Sequence, residues 1–186
     1  MAASKGAIRL ERYSTLTSQN NKRGVPIDVV VRGRTAYSEV TIPAHMGGWI
    51  GPDQTYAHKG AIATVLETVM AFGGIRFLKR ATSAKTLSVE YFTQVPIKTK
   101  LRAEATLVER RGDGEAILQG TLRDGKGNLL ARSTGTYALY STDDLRNLGQ
   151  SKALSELVLA AGAKQLGMAA CRPADLAQFE QMLNSF

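Results

Sequence analysis

The chain has 186 residues, 44% of them apolar and 22% charged, which fits one domain with additions and a substantial buried core. No apolar run approaches the ~20 residues of a bilayer span, and the N-terminus has no hydrophobic signal region. The single cysteine, Cys171, excludes internal disulfides, so a cytoplasmic protein with no membrane partner is expected. The net charge of +8 is uneven: residues 1–34 hold Lys5, Arg9, Arg12, Lys22, Arg23, Arg32 and Arg34 against only Glu11 and Asp28. No zinc-ligand spacing, helix-turn-helix signature or aromatic-rich RNA motif accompanies this charge. Nucleic acid is therefore not the expected partner, whereas a polyanionic small ligand would suit it.

Residues 1–24 are polar and basic and read as an arm or a short helix. Strand character begins near Val25–Val31 and returns at Thr35–Ile42, ending at Pro43. His45 to Gln54 is loop, punctuated by Gly47-Gly48 and Gly51-Pro52. From about Lys59 to Lys79 the spacing is helical, with Ile62, Val65 or Leu66, Val69 and Phe72 on one side. Gly60, Ala63 or Thr64, Glu67, Met70 or Ala71 and Gly74 form a second stripe of mostly small side chains.

After Arg80 the period becomes two. Thr86–Gln94 is a strand. Residues 99–111 alternate Leu101, Ala103, Ala105 and Leu107 with polar residues. Glu115–Arg123 and Asn128–Tyr140 follow as further strands, joined by turns at Gly112-Asp113-Gly114 and Asp124-Gly125-Lys126-Gly127. A long apolar helix must be covered, and a single curved sheet wrapped around it is the economical α+β solution. The last 45 residues read as two more helices, with Ser151 and Pro173 as start signals. The expected organisation is a basic arm over 1–24, the sheet-and-helix domain over 25–142 and a helical extension over 143–186.

The candidate for chemistry is Glu67, a lone carboxylate in the middle of an apolar helix. Such a charge costs free energy unless it is exposed, paired or used. The helix is preceded by Tyr56-Ala57-His58-Lys59-Gly60.

These residues resemble the hotdog-fold acyl-CoA thioesterases of the phenylacetic-acid-degradation and hydroxybenzoyl-CoA thioesterase type. That family carries His-Gly-Gly at the start of its central helix and an Asp or Glu nine positions after the His. Here His58-Lys59-Gly60 is followed by Glu67 at that spacing. Leu87 to Pro96 looks like the family's strand leading to its turn, and the meander that follows also fits. The resemblance covers roughly residues 25–140. Lys59 stands where the family has a glycine, and Pro52 and Thr55 stand where it often has Asn and Gly.

The resemblance implies a hotdog fold and hydrolysis of an acyl-CoA thioester, with coenzyme A as part of the substrate and neither a cofactor nor a metal. It implies Glu67 as nucleophile or general base, and the Lys59 and Gly60 amides as donors to the oxyanion. Glu67 lies roughly 10–12 Å along the helix from those amides, too far for both to touch one carbonyl. Two antiparallel helices in a two-fold homodimer would bring them together, as the resemblance also implies; a homotetramer is a further possibility.

His58 is a candidate catalytic group, although bonding to loop backbone is its more economical role. Gln54 is a candidate for positioning water or substrate, Thr82, Ser83 and Thr86 for polar groups near the site, and Lys85 and Arg132 for contacts to coenzyme A phosphates. Two other readings stand beside this one. Asp53 and His58 have the Asp-x4-His spacing of hotdog enoyl-CoA hydratases, and a non-catalytic acyl-CoA binding protein would share the fold.

Overall fold

The computed structural model describes residues 8–14, 25–48, 56–141 and 144. The chain runs through β1 (Ile8–Ser14), β2 (Pro26–Arg32), β3 (Thr35–Val40), a short 3-10 turn (Ala44–Met46), α1 (Lys59–Leu78), β4 (Ala81–Tyr91), β5 (Leu101–Arg111), β6 (Glu115–Asp124) and β7 (Leu129–Tyr140). The seven strands form one sheet in the order β1-β2-β3-β5-β6-β7-β4, and every pairing is antiparallel.

The expected α+β arrangement is present. α1 packs across β2 to β7, and its buried side chains meet those of the sheet in one core. Alternation fixes which face looks inward: Leu101, Ala103 and Ala105 on β5, and Ala116, Leu118 and Leu122 on β6, are buried. Each large aliphatic side chain removed from water contributes roughly 1.5–3 kcal/mol. The tight hairpin turns use glycine with positive φ: Gly33 at 57°, Gly112 at 60° and Gly127 at 87°.

α1 buries more of its circumference than one apolar stripe would. Ala61, Ile62, Val65, Leu66, Thr68, Val69, Met70, Phe72, Gly73, Gly74 and Leu78 are all buried. By length and composition this helix could cross a membrane, contrary to the reading of the sequence, but the sheet covers it as a core helix. Met70 and Gly74, assigned with Glu67 to one small-residue stripe, belong to the core: a Cβ on Gly74 would lie 2.8 Å from Leu118 Cδ1. The half-buried line that remains is Ala63, Glu67, Ala71 and Ile75.

Two elements differ from expectation for one physical reason. Ile8–Ser14 is a strand paired with β2, not an arm or a short helix, and β4 begins at Ala81, not at Thr86. Each carries a break in register, between Leu10 and Tyr13 in β1 and between Ala84 and Thr86 in β4. A bulge resets the alternation and hides the strand from a period-two reading. The loop 49–55 and the helices expected within 151–186 lie outside the described residues.

Candidate active site

The site is built from one helix and the strands beneath it. At the first turn of α1, hydrogen-bond accounting singles out one donor. The His58 N–H donates to the Met46 carbonyl at 2.8 Å, and the His58 carbonyl accepts from Ala61 N–H at 2.9 Å and Ile62 N–H at 3.3 Å. The Gly60 N–H donates to His58 Nδ1 at 3.0 Å. The Lys59 carbonyl accepts from the Tyr91 hydroxyl at 3.0 Å, and the Gly60 carbonyl from Thr64 Oγ1 at 2.9 Å. Lys59 opens the helix, so its own N–H is a donor that the helix cannot satisfy.

His58 is therefore the N-cap, and its Nδ1 acts as the acceptor usually supplied by Ser, Thr, Asp or Asn. This agrees with a role in bonding backbone. It also alters the expected donor pair, because the Gly60 amide is already engaged and, among the described residues, only the Lys59 amide remains. The Lys59 ammonium sits over the Tyr91 ring at 5.2 Å from its centroid, which draws the long side chain to one side.

About two turns further on lies Glu67. Its side chain is half-buried, and burial raises its carboxyl pKa above the ordinary carboxylate range. Beneath it is Tyr137, fully buried, whose hydroxyl donates to the Glu67 main-chain carbonyl at 3.4 Å. Burial pushes the phenol pKa up, and the nearby Glu67 charge pushes it further, so Tyr137 stays a neutral donor. A carboxylate in this setting can accept a proton from water or attack an electrophilic carbon.

The other sequence candidates disperse. Thr82 lies on the helix side of β4, but its Oγ1 donates to the Ala71 carbonyl at 3.0 Å. Ser83, Lys85 and Thr86 are exposed. Strand register places Ser83 and Thr86 opposite Ala138 and Thr136, on the sheet face away from α1. Thr86 Oγ1 accepts from the Thr136 N–H at 3.3 Å, and Lys85 forms an ion pair with Glu115. Arg132 pairs with Glu90 at 2.6 Å across the same outer face and stacks over Phe92. None of these four sits beside Glu67. Gln54 and Asp53 lie outside the described residues. Among the described residues no cluster of His, Cys, Asp or Glu could hold a metal ion.

Sequence reading missed Tyr91 and Tyr137. Both occupy inward positions of strands, where a tyrosine is easily taken for one more apolar ring. Their hydroxyls reach main-chain carbonyls of a helix far away in sequence, and no periodic pattern announces that.

No protein-family model matches the chain. Over 103 residues, 54% of its length, it is 29% identical to MIOREX complex component 3 of Saccharomyces cerevisiae, of which the match spans 37%. Among solved structures it is similar to the PaaI protein of the Escherichia coli phenylacetic acid degradation operon, with TM-score 0.54 and 16% identity over 62% of this chain and 80% of that one. It is also similar to smu.793 of Streptococcus mutans bound to acetyl CoA, with TM-score 0.56 and 14% identity over 68% and 94% of the two chains. A hypothetical thioesterase of Streptococcus pneumoniae with coenzyme A gives TM-score 0.53 and 13% identity over 60% and 82%. At these identities the likeness is one of fold. Taken with the central helix and the strand order, it establishes that this chain has the hotdog fold of the thioesterase-superfamily proteins.

Proposed function

We propose that the protein is an acyl-CoA thioesterase in which Glu67 supplies the attacking group. The observation that carries this reading is Glu67 itself, a half-buried carboxylate with a raised pKa on an otherwise apolar helix. Neighbours in fold bound to acetyl CoA or coenzyme A support an acyl-CoA as the ligand class.

In the proposed reaction Glu67 takes a proton from a water molecule that attacks the thioester carbonyl, or attacks that carbon directly to give an acyl anhydride that water then hydrolyses. The carbonyl oxygen gains negative charge and is met by the Lys59 N–H of a second subunit. The thiolate then leaves without much help, since a thiol pKa near 8.5 makes it a good leaving group. A main-chain amide serves as donor whatever the side chain, so lysine at position 59 is compatible with the role.

Helix length supports a second subunit. Eight residues at ~1.5 Å each separate the amide from the carboxylate along one helix, about 12 Å. β4 supports such a dimer, because it pairs with β7 along one edge and has no partner along the other among the described residues. Pairing edge to edge with a second copy would satisfy that row of donors and acceptors. The hydratase alternative is less well supported, because His58 Nδ1 already accepts from Gly60.

The test is thiol release from short, long and aryl acyl-CoAs by wild type and Glu67→Ala in parallel. Release from at least one class is expected, with a fall of about 100-fold or more in the variant. No release from any of them would overturn the reading, and a monomer in solution would overturn the shared site.

A further inference from the structure

We propose that Tyr137 and Thr82 are positioning residues for Glu67: two strand hydroxyls set the axial and rotational position of the helix turn that carries the carboxylate. The proposal rests on the thioesterase reading and adds to it two residues that touch no substrate. Tyr137 of β7 donates to the carbonyl of Glu67, and Thr82 of β4 donates to the carbonyl of Ala71, one helical turn further along. The two strands are paired, with Thr82 opposite Leu139 and Ala84 opposite Tyr137, so both hydroxyls rise from the same face of one ladder.

Neither bond is needed to make the helix. In an α-helix each carbonyl already accepts from the amide four residues on, and these hydroxyls use a second lone pair. Phe and Val would fill the same space without burying a hydroxyl that must then find a partner. What the hydroxyls add is direction.

Apart from the Tyr91 hydroxyl on the Lys59 carbonyl, two turns before Glu67, and Ser133 Oγ on Met70 Sδ, the rest of the seat is apolar or small. A Cβ on Gly73 would lie 2.8 Å from Ala36 Cβ, and one on Gly74 the same distance from Leu118 Cδ1. Contacts of that kind bring the helix close, but apolar attraction is non-directional and resists sliding or rolling weakly. A hydrogen bond weakens steeply as its angle departs from linear, so two of them on successive turns fix translation and rotation together. Glu67 lies on the half-buried line of α1, and among the described residues its carboxylate has no hydrogen-bond or ion-pair partner to hold it in place. A slide of one residue would carry its carboxylate ~1.5 Å along the axis, and misplacement by about 1 Å can cost about 100-fold in rate.

The experiment compares Tyr137→Phe, Thr82→Val and Thr82→Ser in the full chain. Loss of either hydroxyl should lower kcat about tenfold with KM within about twofold, while Thr82→Ser, which keeps the hydroxyl, should recover most of kcat. Amide hydrogen exchange over residues 67–75 should quicken in Tyr137→Phe and Thr82→Val and stay unchanged over 59–64. Unchanged kcat in both variants beside an active wild type would overturn the proposal, as would Thr82→Ser behaving like Thr82→Val. A wild type that hydrolyses no acyl-CoA would sink the thioesterase reading instead. In that case exchange left unchanged in both variants would also remove the positioning role.

Discussion

The first turn of α1 is exposed, and side chains from outside the helix meet its polar groups one by one: His58 Nδ1 takes one amide and the Tyr91 hydroxyl one carbonyl. The Glu67 turn is flanked by buried residues, its carboxylate is raised toward neutrality by burial, and the hydroxyl of Tyr137 reaches only its main chain. Among the described residues one turn leaves only the Lys59 amide without a partner, and the other withdraws a charge from water. A donor needs fixed direction, whereas a base needs a pKa near the working pH, and the two turns supply these separately.

The sharpest way to break this comparison is Lys59→Pro. Proline at the first helical position fits the backbone and removes the N–H along with the lysine side chain; His58, at φ −61° and ψ 137°, already has the extended form required before proline. Thiol release should fall about 100- to 1000-fold with little change in melting temperature, whereas Lys59→Ala, which keeps the amide, should retain most activity. Equal activity in both variants would show that this amide is not the oxyanion donor.

Glu67→Gln separates stability from activity at the other turn. Burial lifts the folded-state carboxyl pKa above its unfolded value, so the folded chain holds a proton at pH values where the unfolded chain has lost it. The corresponding stability is fully present below the unfolded value and is lost as pH rises through the raised one. At pH 8 Glu67→Gln should therefore be more stable than wild type and inactive, with the stability difference vanishing below about pH 4. Urea unfolding of both proteins from pH 4 to 8 measures this, and a constant difference would remove the buried-charge argument. Wild-type activity should rise over the window in which its stability declines.

The smallest effect belongs to the cap. His58→Ala should lower stability by about 1 kcal/mol, a melting shift of about 2–4 °C, and leave thiol release within about tenfold of wild type. A loss as deep as that of Glu67→Ala would make His58 a base and favour the hydratase alternative.

Much of this arrangement was legible in the sequence. The alternation of Leu101, Ala103 and Ala105 gave a strand face, and the glycine turns gave hairpins, because each depends on neighbours a few residues apart. Glu67 stood out because a charge amid Val65, Leu66 and Val69 demands a reason. β1 and the start of β4 were obscured because bulges shift the phase of the alternation. The roles of Tyr91, Tyr137 and Thr82 were hidden for a different reason. Each depends on which main-chain atom a side chain meets after folding, and that atom belongs to another element of the chain. Lys85, Thr86 and Arg132 have residue types that suit an anionic ligand, but the register of β4 and β7 sends them to the outer face.

The strand order has a consequence for the ribosome. α1 is synthesised before β5, β6 and β7, which supply much of its cover, and β4 emerges before the β7 it must pair with. Until those strands appear, the nascent chain carries a long apolar helix with only β2, β3 and an edge-unpaired β4 available to shield it. Such an intermediate is prone to aggregate and is the kind of surface that chaperones engage. The sheet thus closes over α1 only once β7 has emerged.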